Sequence, residues 1–165
     1  MDIKSAIIDQ YGAALEMLRQ AIIKCPEASW DSAQDRKKFW LVAYHALFYT
    51  YLYLHDSLKT FKPWGKHRPD IHRLGALSER SEIGQPYSRE EMLEFLDLCR
   101  QIAAEQVASL DFEAESGFEW LPFNKLELQL YNIRHLQHHT AELIEWLGAN
   151  EGIDVDWVGM APTPV

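Results

Sequence analysis

Three observations predict an all-α chain, a four-helix bundle with a long crossover loop between helices 2 and 3. Four stretches carry apolar residues at three-and-four spacing, as amphipathic helices do. No stretch alternates apolar and polar residues as a half-buried strand would, and no internal repeat or low-complexity run interrupts the pattern. Between the second and third stretches lies one long connection full of helix breakers, Pro63, Gly65, Pro69, Gly75, Gly84 and Pro86. The 165 residues are enough for one domain with its own core, assigned to 1–150, with 151–165 as a C-terminal tail.

The first helix is expected over 2–24, where Ile3, Ala6, Ile7, Ala14, Leu18, Ala21 and Ile22 share a stripe. Cys25-Pro26 ends it, because the residue before proline is pushed out of the helical region. In the linker from Glu27 to Ser32, Trp30 is expected to fold back as a lid on the end of the bundle. The second helix is placed from about Ala33 to Leu58. Its centre, Phe39 to Leu54, is apolar or aromatic nearly all round, so several of its sides should be buried. That centre is too short and too rich in tyrosine to span a membrane, which takes about 20 apolar residues.

The crossover from Lys59 to Tyr87 carries six basic and three acidic side chains within an acidic chain. Connections of this length are uncommon unless functional or mobile. It either covers a site and offers cations to an anionic ligand, or is a solvated link between parallel helices. Its histidines, His67 and His72, share no helical register with the others and are not expected to bind metal. Ser88-Arg-Glu-Glu91 reads as a capping box opening a third helix over about 89–110. Met92, Phe95, Leu96, Cys99, Ile102 and Ala103 form its inner face, with Cys99 a core residue rather than a nucleophile. An acidic connector, Asp111 to Pro122, leads to Asn124, a suitable cap with Glu127 three residues on. The fourth helix then runs to Gly148, expected as a left-handed cap, and the tail is expected to pack through Trp157.

A formal charge of −9 argues against nucleic acid or an anionic membrane as partner. Two distant cysteines without CxxC spacing, and a start that is not signal-like, point to a reduced, cytoplasmic protein.

Three of the seven histidines, His135, His138 and His139, fall within five residues of the fourth helix. At about 100° per residue, His135 and His139 lie on the edge of the inward arc with Leu128, Leu143 and Trp146. Arg134, Glu127, Glu145 and Ala141 face water, and His138 sits on the exposed shoulder. His45 lies at the middle of the apolar second helix, where an imidazole must find a partner. His55 points away from it and is placed at the surface. Facing helices of a bundle build metal sites from inward side chains. Two ligands from one helix and one from another leave coordination positions open, as catalytic sites do. Imidazoles suit zinc, nickel, iron or copper alike. Glu142, one turn past His139, is read as a fourth ligand, a general base, an orienting partner or an exposed rim residue. Glu-x-x-His pairs and HExxH are absent, which argues against di-iron carboxylate proteins and zincins.

The chain resembles the DinB-like (YfiT-like) four-helix bundles, which have a second-helix histidine, here Tyr44-His45-Ala46-Leu47-Phe48, and a fourth-helix motif H-x-x-H-H-x-G-Q-L. This chain reads His135-Leu-Gln-His138-His139-Thr-Ala-Glu142-Leu143, departing at Ala141 and Glu142. The resemblance covers nearly the whole length. It implies His45, His135 and His139 as ligands of a divalent metal (Zn, Ni or Fe), and frequently a homodimer; Glu142, where the family has glutamine, is the candidate catalytic residue on its position beside His139 alone. The resemblance also implies a small-molecule substrate, in some relatives a low-molecular-weight thiol, and no single reaction. A metal-dependent transferase or hydrolase is therefore expected. The alternative is a non-enzymatic dimeric bundle whose metal site is structural or vestigial.

Overall fold

The computed structural model describes residues 2–32, 37–74 and 84–160, and among them the chain is all-helical, with no strand. Asp2 caps the first helix, α1 (Ile3–Lys24), by accepting from the Lys4 N–H at 3.0 Å. A short helix, α2 (Glu27–Trp30), follows Pro26. Trp30 closes the end of the core as expected: it is buried, its Nε1–H donates to the Tyr87 carbonyl at 2.8 Å, and its ring meets Phe39 at 5.7 Å.

The second long helix, α3, spans Phe39–Tyr53. Its expected start near Ala33 is corrected to Phe39, because Lys38 is extended (φ −68°, ψ 140°); positions 33–36 lie outside the described residues. Its expected end at Leu58 is corrected to Tyr53. No local breaker stops it. The carbonyls of His55 and Asp56 are instead taken by the Lys125 ammonium, at 3.4 and 2.7 Å, which also holds Ser116 O at 2.7 Å. Satisfying these carbonyls from a distant side chain removes any need for a further helical turn. Within α3 every residue is buried except His45 and Tyr49, four positions apart and so on one face. That face is the only break in the burial of α3.

Helix α4 (Arg89–Ser109) opens with the capping box as predicted: Ser88 Oγ accepts from Glu91 N–H at 3.2 Å, and Glu91 accepts from Ser88 N–H at 2.9 Å. Cys99 lies in the core against Leu47 O, and burial pushes its thiol well above the usual range. The last helix, α5 (Lys125–Glu151), is capped by Asn124, which accepts from Glu127 N–H at 2.9 Å. It ends a turn beyond Gly148, at Gly152 (φ 65°), correcting the expected cap. Ile153 N–H returns to Leu147 O at 3.2 Å and its side chain packs on the core, so the hydrophobic contact selects the later glycine. Trp157 does not pack, being 78 % exposed; Ile153 and Val155 cover the core in its place.

The long helices meet as a closed series of neighbours, α1 with α4, α4 with α3, α3 with α5 and α5 with α1. Trp40 meets Tyr87 and Tyr51 meets Phe95, so α3 and α4 run parallel across the crossover. Tyr53 meets Tyr131, and Phe39 meets Trp146, so α5 runs antiparallel to α3. This pairing sets the middle of α3 against the middle of α5.

Candidate metal centre

The α3–α5 packing brings His45, His135 and His139 together, their nearest ring nitrogens within 4.8 Å of one another. Ring centroids lie 5.1 Å apart for His45–His135, 4.5 Å for His45–His139 and 4.7 Å for His135–His139. The α5 faces follow the wheel: His139 is buried, His135 half-buried and His138 exposed, while Arg134, Glu127, Glu145 and Ala141 face solvent.

Hydrogen bonds fix which nitrogens point inward. His45 Nδ1 lies 2.6 Å from the His72 carbonyl, which only accepts, so Nδ1 carries the proton and Nε2 presents a lone pair. His139 Nδ1 lies 3.0 Å from Glu142 Oε2, a carboxylate, so its Nε2 is bare by the same argument. His45 Nε2 and His135 Nε2 are 3.2 Å apart. Ligand bonds of about 2.05 Å at the tetrahedral angle put two nitrogens about 3.3 Å apart, so this spacing fits one shared ion. Without metal, the His135 Nε2–H donates across this gap, and His135 Nδ1 finds no partner among the described residues.

Burial holds all three imidazoles neutral, the state a ligand needs. It pushes His45 down to about 3, although the His72 carbonyl works the other way. It takes His135 to about 4, helped by the neighbouring His139 and His138. His139 is also lowered by burial, in spite of its bond to Glu142. An unfolded imidazole titrates near 6.5. As pH falls below that value the unfolded chain takes up protons that the folded chain refuses, so stability falls with pH down to about 3. Urea unfolding of metal-free protein is expected to give a lower midpoint at pH 5 than at pH 7.5. Replacing His45 and His135 by Gln should shrink that difference.

Glu142 is half-buried, and the rim position held open for it is corrected. One oxygen meets His139, and the other accepts from the Lys37 ammonium at 2.6 Å. Burial works to raise its pKa, but the Lys37 and His139 hydrogen bonds outweigh it and hold the carboxyl below its usual range. That makes it a poor base and a good partner for the far nitrogen of His139.

Two contributors were not legible in the sequence. The crossover reaches the site through the main chain of His72, whose ring stacks on Phe48 at 4.1 Å. His67 stacks on the same ring and shares a 2.6 Å hydrogen bond with Tyr44. Neither side chain belongs to the three-histidine cluster, yet the His72 carbonyl orients His45; a carbonyl leaves no mark in residue types. Lys37 is the other. His55 bonds the Tyr51 carbonyl at 2.8 Å and is half-buried rather than a surface residue. Tyr49, beside His45 at 4.8 Å and His135 at 5.4 Å, and Tyr131, stacked at 6.5 Å from His135, wall the cluster. A groove of about 840 Å³ between Ser57–Lys59 and 115–123 contains none of these residues.

Among the described residues, no helix is long and apolar enough to cross a membrane. No family model, no curated protein and no solved structure matches the chain, so the geometry of the three histidines carries the functional reading.

Proposed function

We propose that this chain is a DinB-like four-helix bundle that holds one divalent ion between His45, His135 and His139, and acts as a metal-dependent transferase or hydrolase on a small molecule. The observation that carries it is the pair of anchored tautomers, His45 on the His72 carbonyl and His139 on Glu142, which aim bare Nε2 atoms into one space with His135. Structural burial alone does not require that alignment. The neighbour order of the four long helices and the parallel α3–α4 crossover support the bundle.

A divalent ion held there supplies Lewis acidity and lowers the pKa of a bound nucleophile. The chain's own residues do the rest. Three neutral donors from one protein leave positions open for substrate. The gap in α3 burial at His45 and Tyr49 opens the site to solvent, and Tyr49 and Tyr131 present apolar faces to whatever enters. Glu142 orients His139, so it is a positioning residue in this reading rather than the base. A low-molecular-weight thiol as substrate and a homodimer as the working form belong to the same proposal, on the resemblance alone.

Metal analysis of freshly purified chain is expected to find about one equivalent, absent from the His135→Ala/His139→Ala variant. A transferase and hydrolase panel should show activity that a chelator abolishes. Equal metal in both chains would sink the proposal.

A further inference from the structure

We infer that α5 carries a second cation site outside the first, built from His138, Glu142 and the Nδ1 side of His139. It rests on the reading above in sharing His139 and the Glu142 carboxylate that orients it. His138 and Glu142 are four residues apart, the spacing at which two side chains of one helix reach a common ion. The His138 and His139 rings lie 4.8 Å apart, and donor atoms from His138, His139 and Glu142 all fall within 4.8 Å of one another. His138, which the inner cluster does not use, is exposed and free to turn toward that point.

A positive charge is already drawn there. The Lys37 ammonium sits 2.6 Å from Glu142 Oε1, on a side chain that is half-exposed. Oε2 is turned toward His139 Nδ1 at 3.0 Å, the direction from which the second ion would be held. Two imidazoles and a carboxylate favour a borderline divalent ion such as zinc, nickel or copper over magnesium or calcium. The outer ion would take the place of the His139 Nδ1 proton, which passes to solvent; Glu142 Oε2 then turns from that N–H to the ion, and the ion orients His139 in place of the hydrogen bond. Lys37 competes with the outer ion for Glu142, and that ion's ligands all come from one exposed stretch of helix. The outer site is therefore the weaker.

The test is calorimetric titration of the metal-free full chain with Zn(II). Two equivalents are expected. The weaker one should disappear in His138→Ala, and should tighten about two- to five-fold in Lys37→Met, the range spanned by one exposed ion pair. Both substitutions are at exposed positions, and circular dichroism confirms that the fold persists. His45→Ala/His135→Ala should remove the tighter equivalent. A single equivalent that survives His138→Ala, or a second one that His138→Ala leaves unchanged, overturns the outer site. If the single equivalent also vanishes in His45→Ala/His135→Ala, the inner reading stands while the outer one fails. If the wild type binds no Zn(II), both fail.

Discussion

Substituting His45→Ala is expected to weaken Zn(II) binding by about two to three orders of magnitude. Full structural zinc sites are worth roughly 10–16 kcal/mol for four ligands, so one imidazole contributes about 2.5–4 kcal/mol, which corresponds to that loss. In the proposed site His45 is the one ligand that α3 supplies, and no other α3 side chain is left on the open face except Tyr49. Glu142→Gln keeps a hydrogen-bonding group beside His139 but removes its charge, and should cost only about 10- to 100-fold. Thermal shift gives an independent readout. With zinc at about 1,000 times the wild-type Kd, binding adds about 4 kcal/mol, and a hundred-fold weaker variant keeps about 1.4 kcal/mol of it. At about 2–4 °C per kcal/mol, the zinc-induced rise in Tm should be smaller in His45→Ala by roughly 5–10 °C. Identical zinc-induced shifts in both chains would exclude His45 as a ligand.

The helix faces and the histidine trio were legible because both depend on short-range periodicity. Spacing of 3.6 residues decides which α5 side chains look inward, and Leu128, His139 and Leu143 are buried where the wheel puts them. A lone histidine in an otherwise apolar helix also announces itself, since so few polar groups are tolerated there. What stayed hidden is set by contacts distant in sequence. The end of α3 depends on Lys125, some seventy residues on, and His45 is oriented by a main-chain carbonyl in the crossover. Lys37 reaches Glu142 across 105 positions, so neither residue type nor spacing could pair them. Gly148 and Gly152 are both fit to cap a helix, and the choice falls to Ile153, whose place on the core is a tertiary fact.

The arrangement also explains why so apolar a helix can carry a histidine of the α3–α5 cluster. Burying nearly all of α3 ties its position to α4 and α5, and rigid elements hold ligands more accurately than loops do. Trp40, Tyr44 and Phe95 are fully buried around it. His45 departs from this pattern at one face only, so its ring is held by packing on the apolar sides and by the His72 carbonyl at its outer nitrogen.

Gly117→Ala is expected to be the most destabilising single change of a small side chain in this protein, costing about 3 kcal/mol or more. Gly117 has φ +83°, a region that costs other residues about 1–3 kcal/mol. A Cβ there would lie 1.9 Å from the Asp56 carbonyl oxygen, a backbone atom that cannot swing aside. That carbonyl is also bound to the Lys125 ammonium, which is 5 % exposed and which burial holds below its usual pKa. Displacing Asp56 would loosen the link that ends α3 and leave a buried charge short of acceptors, an expensive condition. Tm should fall by roughly 6–12 °C. Two control substitutions separate the causes. Gly152 shares a positive φ of 65° but has open space around it, so Gly152→Ala should cost only about 1–2 kcal/mol. Gly148 lies inside α5 with open space too, and Gly148→Ala should stabilise by about 1 kcal/mol through helix propensity. A Gly117→Ala loss no greater than that of Gly152→Ala would mean that the Asp56 contact does not hold the end of α3. A destabilising Gly148→Ala would argue for a helix end at Gly148 after all.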